Sequence, residues 1–274
     1  MTATAVPATE AAAPVRVETP EPGILLLTLA QPKSRNSLSM ALMEALHAAI
    51  LAAGCNAAVR AVVIAADGPA FSAGHDLKEL TAHRADPDGG RAFFAETMSR
   101  CSALMQAIVA CPKPVIAAVH ATATAAGCQL AASSDLAVAG AHARFCTPGV
   151  NIGLFCSTPM VALTRNVPRK RAMEMLLLGE LIGAEEAAQW GLVNRVVPDA
   201  DVLPTALGLA RQIAARSPAT VAIGKQAFYT QIEQPLAGAY DFAAETMVRN
   251  MMLADANEGI CAFIDKRKPE WQGR

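Results

Sequence analysis

Aromatic and charged residues are scarce in this chain. Aromatic residues make up 4% and charged residues 17%, and 23 Lys and Arg face 24 Asp and Glu, which gives a net charge of −1. Proteins that hold nucleic acid on a basic surface carry an excess of cations, and those that bind single strands stack the bases on aromatic side chains. The composition therefore predicts no nucleic-acid partner.

Long uninterrupted hydrophobic runs are also missing. The most apolar stretch, residues 115–132, owes its apolarity mainly to alanine and contains His120 and Gln129. Because a membrane-spanning helix needs about 20 predominantly apolar residues, we expect no membrane span. The first 14 residues lack both the basic residues and leucine-rich core of a secretory signal and the arginines of a transit peptide. They predict a disordered Ala/Thr/Pro tail.

Paired and clustered cysteines are absent. The seven cysteines are scattered, with no Cys-x-x-Cys pair and no cysteine–histidine cluster at the spacing of a zinc site. Unpaired thiols in odd number are typical of a reducing compartment. We therefore predict reduced, buried thiols in a cytoplasmic protein without a metal.

The chain does contain enough apolar residues for one large core, since 53% of its 274 residues are hydrophobic. Up to residue 139, buried strands alternate with amphipathic helices, which predicts parallel βαβ units and an α/β fold. From residue 159 onward the pattern is almost entirely helical. We predict a tail over residues 1–14, an α/β core over 15–200 and a helical C-terminal region over 201–274.

Two loops rich in small residues follow predicted strands. They are residues 71–78 (FSAGHDLK) and residues 120–129 (HATATAAGCQ). In α/β folds, ligands bind at the carboxyl ends of strands, where loops meet helix N-termini. One N–H group from each loop could together form an oxyanion hole. On the pattern alone, simple packing of small residues before a helix remains the alternative.

Six segments resemble, in order along the chain, motifs of the crotonase (enoyl-CoA hydratase/isomerase) family. They are residues 71–78 (family F-[AS]-A-G-x-D-[LI]-K), 113–119 (KPVIAAV), 128–135 (C-E-L-A-x-x-x-D), 145–149 (F-x-x-P-E), 178–197 (LTG through G-L-V-x-x-V) and 258–269 (the closing motif). The resemblance covers about residues 15–270.

The resemblance implies a fold and a ligand. The fold would be the crotonase fold, with repeated ββα units and a helical C-terminal region that supports a homotrimer or a hexamer of two trimers. The ligand would be an acyl-CoA thioester, with coenzyme A as part of the substrate and no separate cofactor. The backbone N–H groups of His75 and Ala126 would bind the thioester oxygen. The residues that would contact coenzyme A are Ala73, Lys78, Phe263 and Lys266.

The chain departs from the family pattern at two catalytic positions. Hydratases of the family have a glutamate after the cysteine of C-E-L-A and another after the proline of F-x-x-P-E, whereas this chain has Gln129 and Gly149. Gln129 can hold a water but cannot take its proton. We therefore expect an enzyme of acyl-CoA metabolism, of the hydratase/isomerase type, with weak hydratase activity. A glutamate at position 149 should raise this activity if the pocket is otherwise intact. Alanines also replace family glycines, and Ala126 keeps its N–H donor only if its φ is negative.

Other groups on the same loops could replace the missing carboxylates. The His75 side chain is a candidate base, which would make activity rise through about pH 6–7. Cys128 and Cys156 are candidate nucleophiles, although buried structural thiols are commoner. Asp76 is expected to bond the backbone. Two alternatives stay open: a weak or inactive acyl-CoA-binding protein, and another enolate reaction such as isomerisation, decarboxylation or thioester hydrolysis.

Overall fold

The computed structural model describes residues 13–274, so the tail predicted over residues 1–14 lies almost entirely outside the described residues. The strands are β1 (Val15–Glu21), β2 (Ile24–Leu29), β3 (Ala61–Ala66), β4 (Ala70–Ser72), β5 (Val115–Val119), β6 (Thr122–Thr124), β7 (Leu136–Gly140), β8 (Arg144–Cys146), β9 (Ile182–Gly183) and β10 (Arg195–Val197). The helices are α1 (Met40–Cys55), α2 (Leu77–Ala82), α3 (Arg91–Ala110), α4 (Ala126–Ser133), α5 (Pro159–Asn166), α6 (Arg169–Leu178), α7 (Ala184–Gln189), α8 (Val202–Ala214), α9 (Pro218–Gln231), α10 (Leu236–Met251) and α11 (Ala254–Ile264).

A six-stranded sheet with the order β1-β2-β3-β5-β7-β10 forms the centre of the molecule. Only the β1–β2 pair is antiparallel, and the other neighbours run parallel. β3 and β5 consist of β-branched residues and alanine and are almost completely buried, as expected for parallel strands that are covered on both faces. The predicted parallel βαβ arrangement is therefore confirmed.

A second sheet consists of very short strands in the order β4-β6-β8-β9. Together the two sheets form a repeated unit of two strands and a helix, in which β3, β5 and β7 lie in the first sheet and β4, β6 and β8 follow in the second. The helices that complete these units are α2, α4 and α5. The repeated ββα units implied by the family resemblance are thus present, although the sequence pattern alone did not reveal the second sheet.

Helix α8 covers one face of the central sheet. Its residues Val202, Ala206 and Ala210 are buried in one cluster with Ile116 and Val138 of β5 and β7. The larger cluster on the other face includes the buried side chains of α1, α3 and α4. The boundary at residue 200 remains a prediction, but the helix that follows it packs directly on the α/β core.

Helix α9 is attached to the core by a buried ion pair. Lys225 Nζ contacts Asp135 Oδ2 at 2.6 Å and donates to the carbonyl of Ile108, at the end of α3, at 2.9 Å. Tyr229 OH donates to Asp135 Oδ1 at 2.9 Å. Burial raises the pKa of Asp135, and the charge of Lys225 opposes this shift. Breaking a buried ion pair by removing one partner typically costs several kcal/mol, so these contacts hold α9 firmly against the α/β core.

The C-terminal helices leave many large apolar side chains exposed. They include Phe228, Leu236, Tyr240, Met252 and Phe263. Apolar surface of this extent is typical of a protein–protein interface. The homotrimer or hexamer stays a prediction. No helix in the described part of the chain has the length and apolarity that a membrane crossing requires.

Candidate active site

Three loops reach the same edge of the second sheet. β4, β6 and β8 run parallel, with Ser72 opposite Ala123 and Ala123 opposite Phe145. Because parallel strands end at one edge, the residues that follow them lie close together. The first loop leads into α2, the second into α4, and the third into the segment before α5.

The first two loops are in contact at Gly74. This residue has a φ of +83°, and a Cβ atom there would lie 2.9 Å from Ala125 Cβ and 3.3 Å from Ala126 N. Real Cβ atoms do not approach other atoms this closely when both belong to well-packed structure. Glycine therefore allows the backbone before His75 to lie directly against the start of α4.

Ala125 turns the chain sharply between β6 and α4. Its φ is +48°, which an L-residue with a Cβ rarely adopts. The turn is held because Ala125 N donates to Cys146 O at 2.9 Å and Ala125 O accepts from Gln129 N at 3.0 Å. The unfavourable φ therefore falls on Ala125, and Ala126 begins the helix. Ala126 is not among the residues with a positive φ, so it meets the condition stated above for keeping its N–H donor.

The N–H groups of His75 and Ala126 are the candidate oxyanion donors. The first N–H groups of a helix have no acceptor within it, which leaves Ala126 N–H free. Within residues 13–274 neither group donates to a backbone carbonyl of a neighbouring loop. The first loop is held in place because Leu38 N donates to Gly74 O at 2.7 Å. Asp76 accepts from Lys78 N at 2.9 Å, so its expected role in bonding the backbone is confirmed.

The His75 side chain lies in an enclosed position that lowers its pKa. Its Nε2 atom is enclosed and has no hydrogen-bond partner among the described residues. Burial lowers the pKa of His75 from 6.5 to about 4. A base with this pKa would not titrate at pH 6–7, and the role of His75 as a base stays a prediction. The imidazole is neutral at neutral pH, but it is a weak proton acceptor. Among the described residues, the second enclosed side-chain atom without a hydrogen-bond partner is Oγ1 of Thr147, which follows β8.

Gln129 lies on α4 three residues after Ala126 and is almost fully buried. Its Oε1 accepts a hydrogen bond from Cys101 Sγ on α3, at 3.8 Å. The thiol is completely enclosed, and burial raises its pKa to about 12. Gln129 therefore lies in the first turn of the helix that Ala126 begins, and the thiol that contacts it is protonated at neutral pH.

The space around Gly149 does not accept a side chain. Gly149 is in a short 3₁₀ helix, Pro148–Ile152, and a Cβ there would lie 2.8 Å from Leu154 O and 2.9 Å from Cys156 Sγ. The chain folds back over this position because Leu154 N donates to Gly149 O at 2.9 Å. The prediction that a glutamate here raises hydratase activity requires an otherwise intact pocket, and the backbone of residues 154–156 would have to shift to admit its Cβ.

The cysteines of the site are inert thiols. Cys128, Cys146 and Cys156 are buried and unpaired. Burial raises the pKa of each, to about 11 for Cys146. Because the thiolate is the nucleophilic form, Cys128 and Cys156 are not activated nucleophiles. The prediction of buried thiols is wrong for Cys55 and Cys261, which are exposed.

The residues expected to contact coenzyme A lie in two places. Ala73 and Lys78 are exposed on the first loop and at the start of α2. Phe263 and Lys266 lie at the end of α11, which packs on α9 and α10. Phe263 is 84% exposed. In residues 13–274, no group of three or more His, Cys, Asp and Glu side chains could hold a metal ion.

Two positioning features escaped the sequence analysis. The left-handed conformation of Ala125 sets the direction of α4, and the Cys101 thiol contacts Gln129. Glycines replaced by alanine near residue 125 hinted at the first. The second depends on a contact between residues 28 positions apart, and no motif marks it.

Comparison with known proteins places this geometry in a family. A family model described as enoyl-CoA hydratase/isomerase matches residues 19–274. A human protein, "Enoyl-CoA hydratase domain-containing protein 3, mitochondrial", is 49% identical over 91% of this chain and 80% of its own length. The 2,3-dehydroadipyl-CoA hydratase of Escherichia coli K12 is 37% identical over 92% of this chain and 96% of its own.

Solved structures agree. An enoyl-CoA hydratase from Mycobacterium smegmatis superposes with a TM-score of 0.90 at 48% identity and covers 94% of this chain and 98% of its own. The human domain-containing protein 3 gives a TM-score of 0.89 at 48% identity, over 94% of this chain and 100% of its own. The crotonase fold is confirmed.

The expected cytoplasmic location is contradicted. Five vertebrate relatives that are 45–49% identical to this chain all carry "mitochondrial" in their names. The inference from scattered, unpaired cysteines was too weak to decide the compartment, because reduced thiols are found in more than one compartment.

Proposed function

Because this chain belongs to the enoyl-CoA hydratase/isomerase family, we propose that it binds an acyl-CoA thioester and polarises the thioester carbonyl. The oxygen would lie between the N–H groups of His75 and Ala126. One observation carries this proposal: a Cβ built on Gly74 would lie 2.9 Å from Ala125 Cβ and 3.3 Å from Ala126 N, which supports two donors, one from each loop, close together.

Two such donors would stabilise the enolate that forms when charge moves onto the thioester oxygen. Each donor of this kind is typically worth ~3 kcal/mol in the transition state. Hydration also needs one group to accept a proton from water and one to protonate carbon, and each contributes about 10²–10⁴-fold. Gln129 and Gly149 cannot transfer protons, and His75 is a weak base. Hydration of a 2-enoyl-CoA by this protein is therefore slow.

Coenzyme A would extend from the site along the surface. Ala73 and Lys78 are on the first loop and exposed, which suits a contact with the phosphates. Phe263 and Lys266 would contact the nucleotide from α11. The exposed apolar side chains of α9–α11 support a homotrimer or hexamer in which these helices pack on a neighbouring subunit.

A second candidate is an acyl-CoA-binding protein without turnover. Two features of position 149 favour it. A glycine supplies no carboxylate, and the folding of residues 154–156 over it leaves no space for one. Such a protein would hold the thioester in the same place. Isomerisation, decarboxylation or thioester hydrolysis would each require a proton-transfer group, and among His75, Ala126, Gln129 and Gly149 only His75 has a side chain that titrates.

Two measurements on the purified protein test the proposal. The first is the infrared band of butyryl-CoA labelled with ¹³C at the thioester carbonyl, which we expect to shift to lower frequency on binding. The second is the loss of enoyl-thioester absorbance with crotonyl-CoA, which we expect to be slow. A shifted carbonyl band without any turnover supports the binding protein. An unshifted band in bound butyryl-CoA, or no binding at all, contradicts the proposed function.

A further inference from the structure

A buried asparagine, Asn36, lies behind the first loop of the candidate site. It is completely enclosed, and its backbone is left-handed with a φ of +51°. Its side-chain oxygen accepts a hydrogen bond from Gln31 N at 2.9 Å. Its side-chain nitrogen donates to Asp67 O at 2.8 Å and to Ala70 O at 2.9 Å. One amide therefore joins the segment before α1 to both ends of the turn between β3 and β4.

Asn36 is linked to the first loop through Ser72, the last residue of β4. Ser72 is completely buried, and its hydroxyl donates to Asn36 O at 2.8 Å. The same hydroxyl oxygen accepts a hydrogen bond from Gly74 N at 3.4 Å. A hydroxyl has one hydrogen to donate and two lone pairs that accept, so one side chain can make both bonds. The bonds that start at Asn36 therefore reach Gly74, the residue before the candidate donor His75.

The direction of the His75 N–H group follows from the peptide that it shares with Gly74. Leu38 N donates to Gly74 O at 2.7 Å, and Leu38 and His75 form a parallel β-bridge. This peptide is trans, and in a planar trans peptide the N–H points away from the C=O. Because the Gly74 carbonyl points at Leu38, the His75 N–H group points to the opposite side.

The path of the chain before Leu38 is held by side-chain contacts. Arg35 and Asn36 are consecutive left-handed residues, with φ values of +55° and +51°. This conformation costs roughly 1–2 kcal/mol per residue, less for asparagine, and it persists where the surroundings hold it. The buried hydrogen bonds of the Asn36 side chain offset that cost. They therefore maintain the backbone path that presents Leu38 N to the first loop.

We propose that Asn36 is a positioning residue that sets the direction of the His75 N–H group, through Leu38 on one side and Ser72 on the other. The inference rests on the proposed function, since it presupposes that this N–H group binds the thioester oxygen. Asn36 is enclosed and acts only through its neighbours. Its loss should therefore weaken the recognition of the carbonyl oxygen and leave the contacts with the rest of coenzyme A intact.

Calorimetry with two matched ligands measures what the thioester oxygen contributes to binding. Butyryl-CoA has this oxygen, and S-butyl-CoA is the thioether of the same chain length without it. We expect the wild-type protein to prefer butyryl-CoA about tenfold, the value of two hydrogen bonds. Asn36→Gly permits the left-handed backbone but removes the side-chain bonds. The preference should then fall to about threefold, the value of one hydrogen bond, with the affinity for S-butyl-CoA within about twofold of the wild type.

Asn166→Gly is the matched control. Asn166, the last residue of α5, also donates from its side-chain nitrogen to two carbonyls, Ala132 O at 2.9 Å and Ala162 O at 2.8 Å. This variant should keep the tenfold preference. The ¹³C carbonyl band of bound butyryl-CoA is a second readout, and its shift should be smaller in Asn36→Gly than in the wild type and unchanged in Asn166→Gly. A general loss of stability would not move the band of the bound ligand.

Ser72→Ala provides a second variant if Asn36→Gly does not fold. The family motif over residues 71–78 has either alanine or serine at this position, so the fold should persist. The substitution breaks the link from Asn36 to Gly74, and the preference for butyryl-CoA should fall in the same direction. An unchanged preference in folded Asn36→Gly, or in Ser72→Ala where only that variant folds, overturns the role of Asn36 while thioester binding stands. If the wild-type protein binds neither ligand, or both equally, the proposed function itself fails.

Discussion

The loops after β4, β6 and β8 all begin at the same edge of the second sheet, but they differ in what they can contribute to chemistry. The first two offer backbone N–H groups, placed by the contact of Gly74 with Ala125. The third is where family hydratases carry a glutamate side chain, and here it has Gly149 with residues 154–156 folded over it. An N–H donor depends only on the path of the chain, so it persists when side chains change. A carboxylate needs both a side chain and the space to hold it.

The largest expected effect comes from breaking the contact between the first two loops. Gly74→Ala places a Cβ 2.9 Å from Ala125 Cβ at a φ of +83°. We expect any turnover to fall about 10²–10³-fold, the cost of losing one oxyanion donor in the transition state, and butyryl-CoA affinity to fall about three- to tenfold, the value of one hydrogen bond. Binding of butyryl-CoA by calorimetry and the rate with crotonyl-CoA measure this.

Gly89→Ala is the matched control for this substitution. Gly89 also has a positive φ, +67°, but nothing lies within 4 Å of a Cβ built there. It should share the backbone strain without moving the second loop, so binding should stay within about threefold of the wild type on a surface loop. Equal losses in the two variants would show that the loop contact does not place the donors.

The next effect concerns the His75 side chain, which the first loop encloses. Its pKa is 6.5 in an unfolded chain and about 4 in the fold because of burial. The unfolded state therefore binds more protons between these values, and the free energy of unfolding falls as the pH drops from 6.5 towards 4. The loss should approach ~3 kcal/mol at the lower end.

Denaturant titrations at several pH values check this, with His75→Asn as the comparison. The variant has no group that titrates here, so its stability should depend less on pH over the same window. Catalysis should not rise through pH 6–7 in the wild type, because the imidazole is already neutral there. If wild type and variant lose stability in parallel, the His75 ring is solvated and the buried-base argument fails.

Adding the missing carboxylate tests what the third loop can contribute. Gly149→Glu must displace Leu154 O and Cys156 Sγ, which would lie 2.8 and 2.9 Å from the new Cβ. We expect a loss of about 1–3 kcal/mol in the free energy of unfolding and no gain in hydration of crotonyl-CoA. Gly153→Glu adds the same charge where nothing lies within 4 Å of a Cβ, so its cost should be only the backbone strain of a side chain at a φ of +75°. A tenfold gain in hydration by a folded Gly149→Glu protein would contradict this.

The sequence predicted the long elements well and the short ones poorly. The sequence predicts a helix over residues 91–110 from its length and a buried strand over residues 115–119 from its continuous apolar run, and the structure has both with these bounds. β4, β6 and β8 have three residues each, which is too few for any pattern. They form the sheet that carries the site, so the sheet itself had to come from family resemblance.

The candidate site, like the fold, could be predicted only in part. Motif positions predict the donors His75 and Ala126 on two loops, and the structure shows that these loops adjoin at Gly74 and Ala125. They could not show that burial lowers the pKa of His75, or that Cys101 contacts Gln129 across two helices. Both depend on which distant residues surround a side chain, and a motif describes only its neighbours along the chain.

The smallest expected effect is at Cys156, the candidate nucleophile in the third loop. The thiol is buried, which raises its pKa, and it lies against Gly149. Cys156→Ala should cost about 1 kcal/mol of stability through lost packing and change turnover by less than about threefold. Alkylation at neutral pH should modify the exposed Cys55 and Cys261 first. If Cys156→Ala instead lost nearly all turnover, this thiol would be a nucleophile, and the third loop would contribute chemistry through a side chain after all.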